Sequence, residues 1–189
     1  MRRLAVYCGS AAGSDPRFAE AARAVGTEMA ARGVELVYGG GRLGLMGIVA
    51  DAVLGAGGKA QGVIPRALID LELAHGGLTE LHIVGSLHER KAKMTELADA
   101  FLALPGGIGT LDELFEAWTW NALGYHDKPF ALLNVAGFWD GMTGFLDGVA
   151  ANGFMSPARR AQLLVADNVT EALDTLAAAV AGAESGIVW

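Results

Sequence analysis

Short apolar runs alternate along the chain with longer segments in which apolar residues recur at helical spacing. This pattern predicts strands and helices in regular alternation. The predicted strands are 4–8, 34–38, 60–64, 81–84, 100–104, 130–135 and 163–165. The predicted helices are 17–31, 45–54, 88–98, 111–123, 138–151 and 170–181. Apolar strands that alternate with helices indicate β-α-β units and a parallel sheet covered on both faces.

The predicted fold is α/β, an open doubly wound parallel sheet in one domain that spans residues 1–189. An eight-stranded barrel is disfavoured because it usually takes roughly 200–250 residues, more than this chain has. In open parallel sheets, ligands bind beyond the carboxyl ends of the strands. The loops that follow strands are therefore the candidate site. The least regular part, 66–77, is expected to be a mobile loop over it.

The amino-acid composition bears on which partners the protein binds and on its cellular compartment. The net charge is −7, with 14 Lys and Arg against 21 Asp and Glu, which argues against nucleic acid as a partner. The one cysteine, Cys8, forms no intrachain disulfide and suits a reducing compartment. The apolar run 4–8 is too short for a signal peptide, and no apolar stretch suits a membrane span. We therefore expect a cytoplasmic protein with no membrane partner.

Two glycine loops follow the first two predicted strands. Gly9-Ser10 is either an ordinary tight turn or a ligand contact. In the segment 39–47, three glycines match the G-x-G-x-x-G pattern of dinucleotide sites. That pattern also needs an acid at the end of the next strand, whereas this chain has 63–65, Val-Ile-Pro. A nicotinamide cofactor is therefore excluded. Gly40 and Gly41 either let a ligand approach the backbone or serve helix packing.

A third glycine loop, Pro-Gly-Gly-Ile-Gly-Thr at 105–110, follows the fifth predicted strand and leads into a predicted helix. Free backbone amides beside a helix N-terminus form an anion site. The loop is not a Walker motif, because no lysine follows its last glycine. Thr110 and Glu113 have the spacing of a capping box. The alternative is that Glu113, in the first helical turn, acts on a sugar beside a bound phosphate.

A charged cluster, His88-Glu89-Arg90-Lys91, lies in the predicted helix 88–98. A solvated helix face is one interpretation. Adjacent cations point in different directions on a helix, so one of them can bind a phosphate while the other stays in solvent. Arginine suits this role because its planar guanidinium holds an oxyanion with two hydrogen bonds. The histidines show no metal spacing, so we expect no metal.

Arg90-Lys91 followed by the segment 105–113 resembles the signature of the Lonely Guy family, the cytokinin-activating phosphoribohydrolases that often carry an older lysine decarboxylase label. Further segments resemble the family in its order, so the resemblance covers nearly the whole chain. These segments are 8–10, 38–41, 44–47, 63–65, 118–120 and 153–157. The older label lacks chemical support, because none of the lysines lies in an evident pyridoxal phosphate motif.

The resemblance implies a Rossmann-like, doubly wound fold, a homodimer, and no cofactor. It implies hydrolysis of the N-glycosidic bond of a nucleoside 5′-monophosphate, preferably an N6-prenylated adenosine 5′-monophosphate, to free base and ribose 5-phosphate. Arg90 and Glu113 would be the catalytic pair. The other residues that would contact substrate are Glu72, Lys91, Gly107, Ile108, Gly109, Thr110, Leu111, Asp112, Thr119, Gly9, Ser10, Gly40 and Gly41. The phosphate would lie on Gly107 to Thr110.

Two alternatives remain open at this point. One is a non-catalytic carrier of a phosphorylated ligand, similar in outline to molybdenum cofactor carriers. The other is a general nucleotide hydrolase with no hormone role. The pairing of Arg90 with Glu113 argues against the carrier, because a carrier needs no carboxylate at the sugar.

Overall fold

Seven parallel strands form one sheet in this computed structural model, which describes residues 1–69 and 74–185. The strands are β1 Arg3–Tyr7, β2 Glu35–Tyr38, β3 Ala60–Pro65, β4 Glu80–Val84, β5 Ala100–Ala103, β6 Phe130–Leu133 and β7 Leu163–Ala166. Their order across the sheet is β4-β3-β2-β1-β5-β6-β7. The predicted doubly wound parallel sheet is confirmed, and the predicted strands differ from these by at most two residues at either end.

The helices follow the prediction less closely. They are α1 Pro16–Ala31, α2 Gly44–Gly55, α3 Arg66–Ile69, α4 Leu87–Leu97, α5 Ile108–Ala122, α6 Asp140–Ala151, α7 Pro157–Ala161 and α8 Val169–Ser185, with a 3-10 turn at Val135–Gly137. The sequence pattern did not predict the short helices α3 and α7. It also placed the start of α5 three residues too late. α1 begins as expected, with Pro16 in its first turn and the Asp15 carboxylate accepting the Arg17 N–H.

The helices cover both faces of the sheet. On one face, α1, α2 and α8 bury residues such as Met29, Val53 and Leu173 against the alternate strand residues Leu4 and Val6. On the other face, α4, α5 and α6 bury Met94, Leu114 and Leu146 against Ala5 and Tyr7. Strands with both faces buried need continuous apolar runs, which is why the sequence shows runs and not alternation. No described helix combines the length and the apolar composition that a bilayer span requires.

The chain reverses its direction across the sheet at β1, which pairs with β2 on one side and β5 on the other. The loops after β1 and β5 meet at this switch point. The Gly9 N–H donates to the Pro105 carbonyl at 3.1 Å, and the Gly9 carbonyl accepts the Leu45 N–H at 3.0 Å. A Cβ on Gly106, in the loop after β5, would lie 2.9 Å from the Gly9 nitrogen, so glycine lets these two backbones approach. The switch point of an open parallel sheet is where a ligand is expected.

Helices α1 and α2 approach each other closely at Gly26. A Cβ at this position would lie 2.6 Å from the Val49 carbonyl oxygen and 3.0 Å from the Val53 nitrogen. Both atoms belong to the α2 backbone and cannot rotate away as a side chain would. The packing of α1 on α2 therefore depends on the missing side chain.

Gly26→Ala should lower the free energy of unfolding by about 1–3 kcal/mol, because the methyl group overpacks against the α2 backbone. Gly148→Ala, in α6, is the matched control, since a Cβ there meets no atom within 4 Å. It should raise the free energy of unfolding by up to about 1 kcal/mol through helix propensity. Chemical denaturation of the two variants measures both effects. A Gly26→Ala protein as stable as the wild type would contradict the close packing.

Candidate active site

Arg90 and Glu113 meet at the carboxyl end of the sheet. Arg90 lies in the second turn of α4, and Glu113 lies in the second turn of α5. The Arg90 Nη2 is 3.3 Å from the Glu113 Oε1, and the two side chains are only 13% and 12% exposed. Both helices pack on the same face of the sheet, against β1. The structure therefore brings together the two residues that the family resemblance paired, although they are 23 positions apart.

Burial governs the charge of Glu113. It raises the pKa of this carboxyl from its ordinary value to about 7, although the nearby Arg90 charge lowers it. The Asp112 carboxylate raises it further, and Lys91 opposes this. A carboxyl with such a pKa exchanges between its two protonation states near neutral pH, as a general acid or base must.

Tyr7, the last residue of β1, and Cys8, which follows it, are buried groups close enough to feel the Glu113 charge. Burial raises the pKa of both groups well above the ordinary values, and the Glu113 charge raises them further. Cys8 is therefore a neutral thiol and not an activated nucleophile, which agrees with the absence of a base beside it in the sequence. Both groups therefore stay neutral and add no competing charge near the pair.

The Arg90 guanidinium lies against the backbone of Gly39, directly after β2. A Cβ built on Gly39 would overlap the Arg90 Nη2 and lie 2.8 Å from the Cζ. The Arg90 Nε is buried, and among the described residues it has no hydrogen-bond partner. Gly39 did not stand out in the sequence from the other glycines of 39–47. Only the structure separates it from them.

The N-terminus of α5 lies open to solvent. The cap residue is Gly107, and no side chain bonds to the cap. Ile108 is 84% exposed, and a Cβ on Gly107 or Gly109 would meet no atom within 4 Å. The first amides of a helix lack partners within the helix, so this terminus can bind an anion.

The capping-box interpretation of Thr110 is wrong. Since α5 begins at Ile108, Thr110 is the third helical residue, and its side chain is buried. The sequence had suggested that Glu113 lies in the first turn of the helix. In the structure it lies in the second turn. The spacing of a capping box is present, but the preceding glycines allow the helix to start one turn earlier.

Lys91 turns away from Arg90, as expected for adjacent cations. Its ammonium bonds the Asp112 carboxylate at 3.0 Å and also bonds Glu116. Burial alone would lower the pKa of Lys91, but the hydrogen bonds to Glu116 and Asp112 raise it above its ordinary value. The Lys91 side chain is only 16% exposed, so it does not lie in open solvent.

The other predicted site residues are distributed around this pair. Gly40 is left-handed at φ +73°, and its carbonyl accepts the His75 N–H at 2.9 Å. Gly41 bridges Ala74. These contacts attach the end of the predicted loop 66–77 to the glycine segment, while α3 forms the start of that loop. Glu72 lies outside the described residues.

Gly9 and Ser10 line a cavity of about 230 Å³ at the switch point, together with Gly106 and Gly107. Its walls include Phe18 and Phe138, whose rings meet edge to face with centroids 5.5 Å apart. These two aromatic residues were not predicted, because nothing in their sequence spacing distinguishes them from core residues.

Thr119 is not brought to the Arg90–Glu113 pair. It is exposed on α5 and lines a separate apolar cavity of about 150 Å³ with Phe115, Trp118 and Met155. Leu111 is partly buried and packs beside the second core cluster. Within one chain, the candidate site thus comprises Arg90, Glu113 and the glycine loops, with Lys91 and Asp112 at its side.

Comparison with known proteins places this geometry in a family. A family model described as "Possible lysine decarboxylase" matches residues 46–176. The cytokinin riboside 5′-monophosphate phosphoribohydrolase LOG of Oryza sativa subsp. japonica is 45% identical over 188 residues, covering 100% of this chain and 78% of the rice protein. The cytokinin riboside 5′-monophosphate phosphoribohydrolase of Rhodococcoides fascians is 43% identical over 173 residues, covering 91% of this chain and 87% of that protein.

A solved structure, the Moco carrier protein from Chlamydomonas reinhardtii, superposes with a TM-score of 0.73 over 96% of this chain and 98% of the carrier. At 21% identity this likeness concerns the fold alone. The matched model and the relatives along the whole chain show that the protein belongs to the Lonely Guy (LOG) family.

Proposed function

We propose that this protein hydrolyses the N-glycosidic bond of an N6-prenylated adenosine 5′-monophosphate, releasing the free base, a cytokinin, and ribose 5-phosphate. The observation that carries the proposal is the buried Arg90–Glu113 ion pair beside the open N-terminus of α5. The names of the relatives from rice and Rhodococcoides fascians support the same reaction.

Glu113 is the group that acts on the sugar. Cleavage of an N-glycosidic bond develops positive charge on the ribose ring, and a fixed carboxylate in a low dielectric stabilises that charge. With a pKa of about 7, Glu113 can also take the proton of the attacking water. Burial keeps the Glu113 carboxylate out of bulk water, which strengthens its interaction with the cationic sugar.

Arg90 acts on negative charge. Its guanidinium stays protonated, so it donates hydrogen bonds and does not transfer a proton. It neutralises the charge that develops on the departing base, or else anchors the phosphate. In either role it also holds Glu113 in place through the 3.3 Å contact.

The glycine loops hold the phosphate. The amides of Gly107 to Thr110 at the start of α5 point toward an anion, and the exposed Ile108 leaves the approach open. Binding energy from the phosphate then positions the sugar over Glu113. Gly9, Ser10, Gly40 and Gly41 complete the walls in this proposal. The mechanism needs no metal or organic cofactor, because Glu113, Arg90 and backbone amides supply every charge it requires.

A non-catalytic carrier is the competing function. The likeness to the Moco carrier protein concerns the fold alone. A carrier would have no use for a carboxyl whose pKa is raised to about 7 by burial next to an arginine. Phosphoribohydrolase activity therefore explains more of the residues in the site than a carrier function does.

Purified protein should release free base and ribose 5-phosphate from AMP and from prenylated AMP, and little from the unphosphorylated nucleoside. The phosphate dependence follows from the binding energy that the α5 terminus supplies. Chromatography of the products measures it. Saturable binding without base release from either monophosphate would support the carrier and overturn the enzyme.

Glu113→Gln is the matched variant for that experiment, since it keeps the shape of the side chain and removes the charge. It should lower kcat by a factor on the order of 10²–10⁴ and leave nucleotide binding largely intact. Unchanged turnover would remove Glu113 from the catalytic role.

The pH dependence of kcat/KM should report the ionisation of Glu113. The proposed mechanism uses the carboxylate, so kcat/KM should rise with pH below about 7 and level off above it. Steady-state kinetics between pH 5 and 9 measure the profile. Asp112→Asn should move the inflection to lower pH, because the Asp112 charge raises the pKa of Glu113. A profile that falls as pH rises through 7 would mean that the protonated acid is the active form.

We also propose that the protein is a cytoplasmic homodimer, joined through the outer surfaces of α4 and α5. Exposed apolar residues, Leu87, Leu123 and Tyr125, lie at the ends of these helices. Tyr125 also lines a cavity of about 560 Å³ with His88 and Trp120. Exposed apolar surface of this kind is typical of an interface. The single buried cysteine supports a reducing compartment.

Sedimentation should give the mass of two chains for the wild type. Leu123→Glu should shift the protein toward monomers by placing a charge in the interface. Phe145→Glu is the control, because Phe145 lies on α6 and is about as exposed as Leu123, at 70% against 66%. Dissociation by the control and not by Leu123→Glu would place the interface elsewhere.

A further inference from the structure

We propose that Gly39 is a positioning residue for the reaction: by lacking a side chain, it leaves the Arg90 guanidinium the space it needs to face Glu113. This inference rests on the proposed function for its effect on turnover. Its geometric part concerns only Gly39, Arg90 and Glu113.

The contact at Gly39 is made by one side chain. A Cβ built on this residue would meet the Arg90 Nη2 first, then the Cζ at 2.8 Å and the Nε at 3.2 Å. The three nearest atoms thus all belong to the guanidinium. The Nη2 is also the atom that lies 3.3 Å from the Glu113 Oε1. A methyl group at position 39 would therefore compete with the nitrogen that holds the ion pair.

Backbone conformation does not explain this glycine. Gly40 and Gly44 have left-handed φ values of +73° and +59°, which disfavour any other residue. Gly39 is not among the positive-φ glycines. Its backbone would accept alanine without strain. The nearest atoms therefore assign the requirement for glycine at position 39 to Arg90.

The guanidinium has little room to adjust while it keeps its partner. It is largely buried, with Glu113 on one side and Gly39 on the other. A methyl group at position 39 would displace the end of a flexible side chain and not a backbone segment. The fold should therefore tolerate Gly39→Ala at small cost in stability. The position of the guanidinium relative to Glu113 should change by an ångström or more, which is on the order of what costs 10²-fold in rate.

The experiment is a double-mutant cycle on kcat and KM. Gly39→Ala should lower kcat on the order of 10²-fold while its thermal unfolding stays close to that of the wild type. In an Arg90→Ala background, Gly39→Ala should cause no further loss, since the guanidinium that it displaces is gone. Gly55→Ala is the matched control, because a Cβ there meets no atom within 4 Å, and it should leave kcat unchanged.

Additive losses in the cycle would overturn the proposal, since they would mean that Gly39 acts independently of Arg90. Wild-type kcat in Gly39→Ala would also overturn it. A destabilised Gly39→Ala protein whose stability Arg90→Ala does not rescue would assign Gly39 a structural role and contradict the inference.

A second measurement separates this inference from the proposed function. The Arg90 charge lowers the pKa of Glu113, so carboxyl NMR of protein labelled at Glu should show Glu113 titrating at higher pH in Gly39→Ala. Lys91 from α4, Asp112 on α5, and Tyr7 and Cys8 from the β1 end also face Glu113 and are unchanged. A shifted titration in a protein that cleaves no nucleotide would refute the function and keep the positioning role. An unshifted titration would refute the positioning role.

Discussion

A carboxylate and a guanidinium held out of water are the constraint on which this site depends. Removing two charges from water costs several kcal/mol per ion, and their attraction offsets this only when the geometry is good. The contact between Arg90 and Glu113 has to be made by two helices that enter the site from different strands. The positions of α4 and α5 on one face of the sheet, both against β1, bring the two groups together. Desolvation nevertheless outweighs the Arg90 charge, because the pKa of Glu113 is raised to about 7.

Glycine makes the rest of the arrangement possible. At Gly106 and Gly44, the missing side chain lets the loop after β5 and the start of α2 approach the loop after β1. At Gly39, it leaves room for a charged group. At Gly107 and Gly109, it leaves the first turn of α5 uncovered. Within one site, glycine thus allows two backbones to approach, leaves space for a charged side chain, and keeps a helix terminus open to a ligand.

Much of the fold and part of the site were predictable from the amino-acid sequence. Each apolar run became a strand because a sheet covered on both faces needs continuous apolar residues. Arg90 and Glu113 were paired from their motifs, and the parallel topology explains how they meet. The start of α5 was predicted too late because Thr110 and Glu113 have the spacing of a capping box. The glycines before them do not indicate that the helix has already begun. The contact of Gly39 with Arg90 spans 51 positions and depends on side-chain packing, so no local pattern shows it. For Thr119, the family motif is clear in the sequence, but the fold places the residue in a different cavity from Arg90 and Glu113.

The burial of Glu113 links protonation to folding as well as to chemistry. In the unfolded chain this carboxyl is ionised at pH 6, whereas the folded protein holds it with a pKa of about 7. At pH 6 the chain therefore takes up most of a proton from solution at Glu113 as it folds. That proton is lost again as the pH rises through 7, so the contribution of Glu113 to stability is most favourable in acid and declines toward alkaline pH. In mildly acidic solution the folded protein therefore holds Glu113 mainly as the neutral acid, and the carboxylate that the proposed mechanism uses forms as the pH rises through about 7.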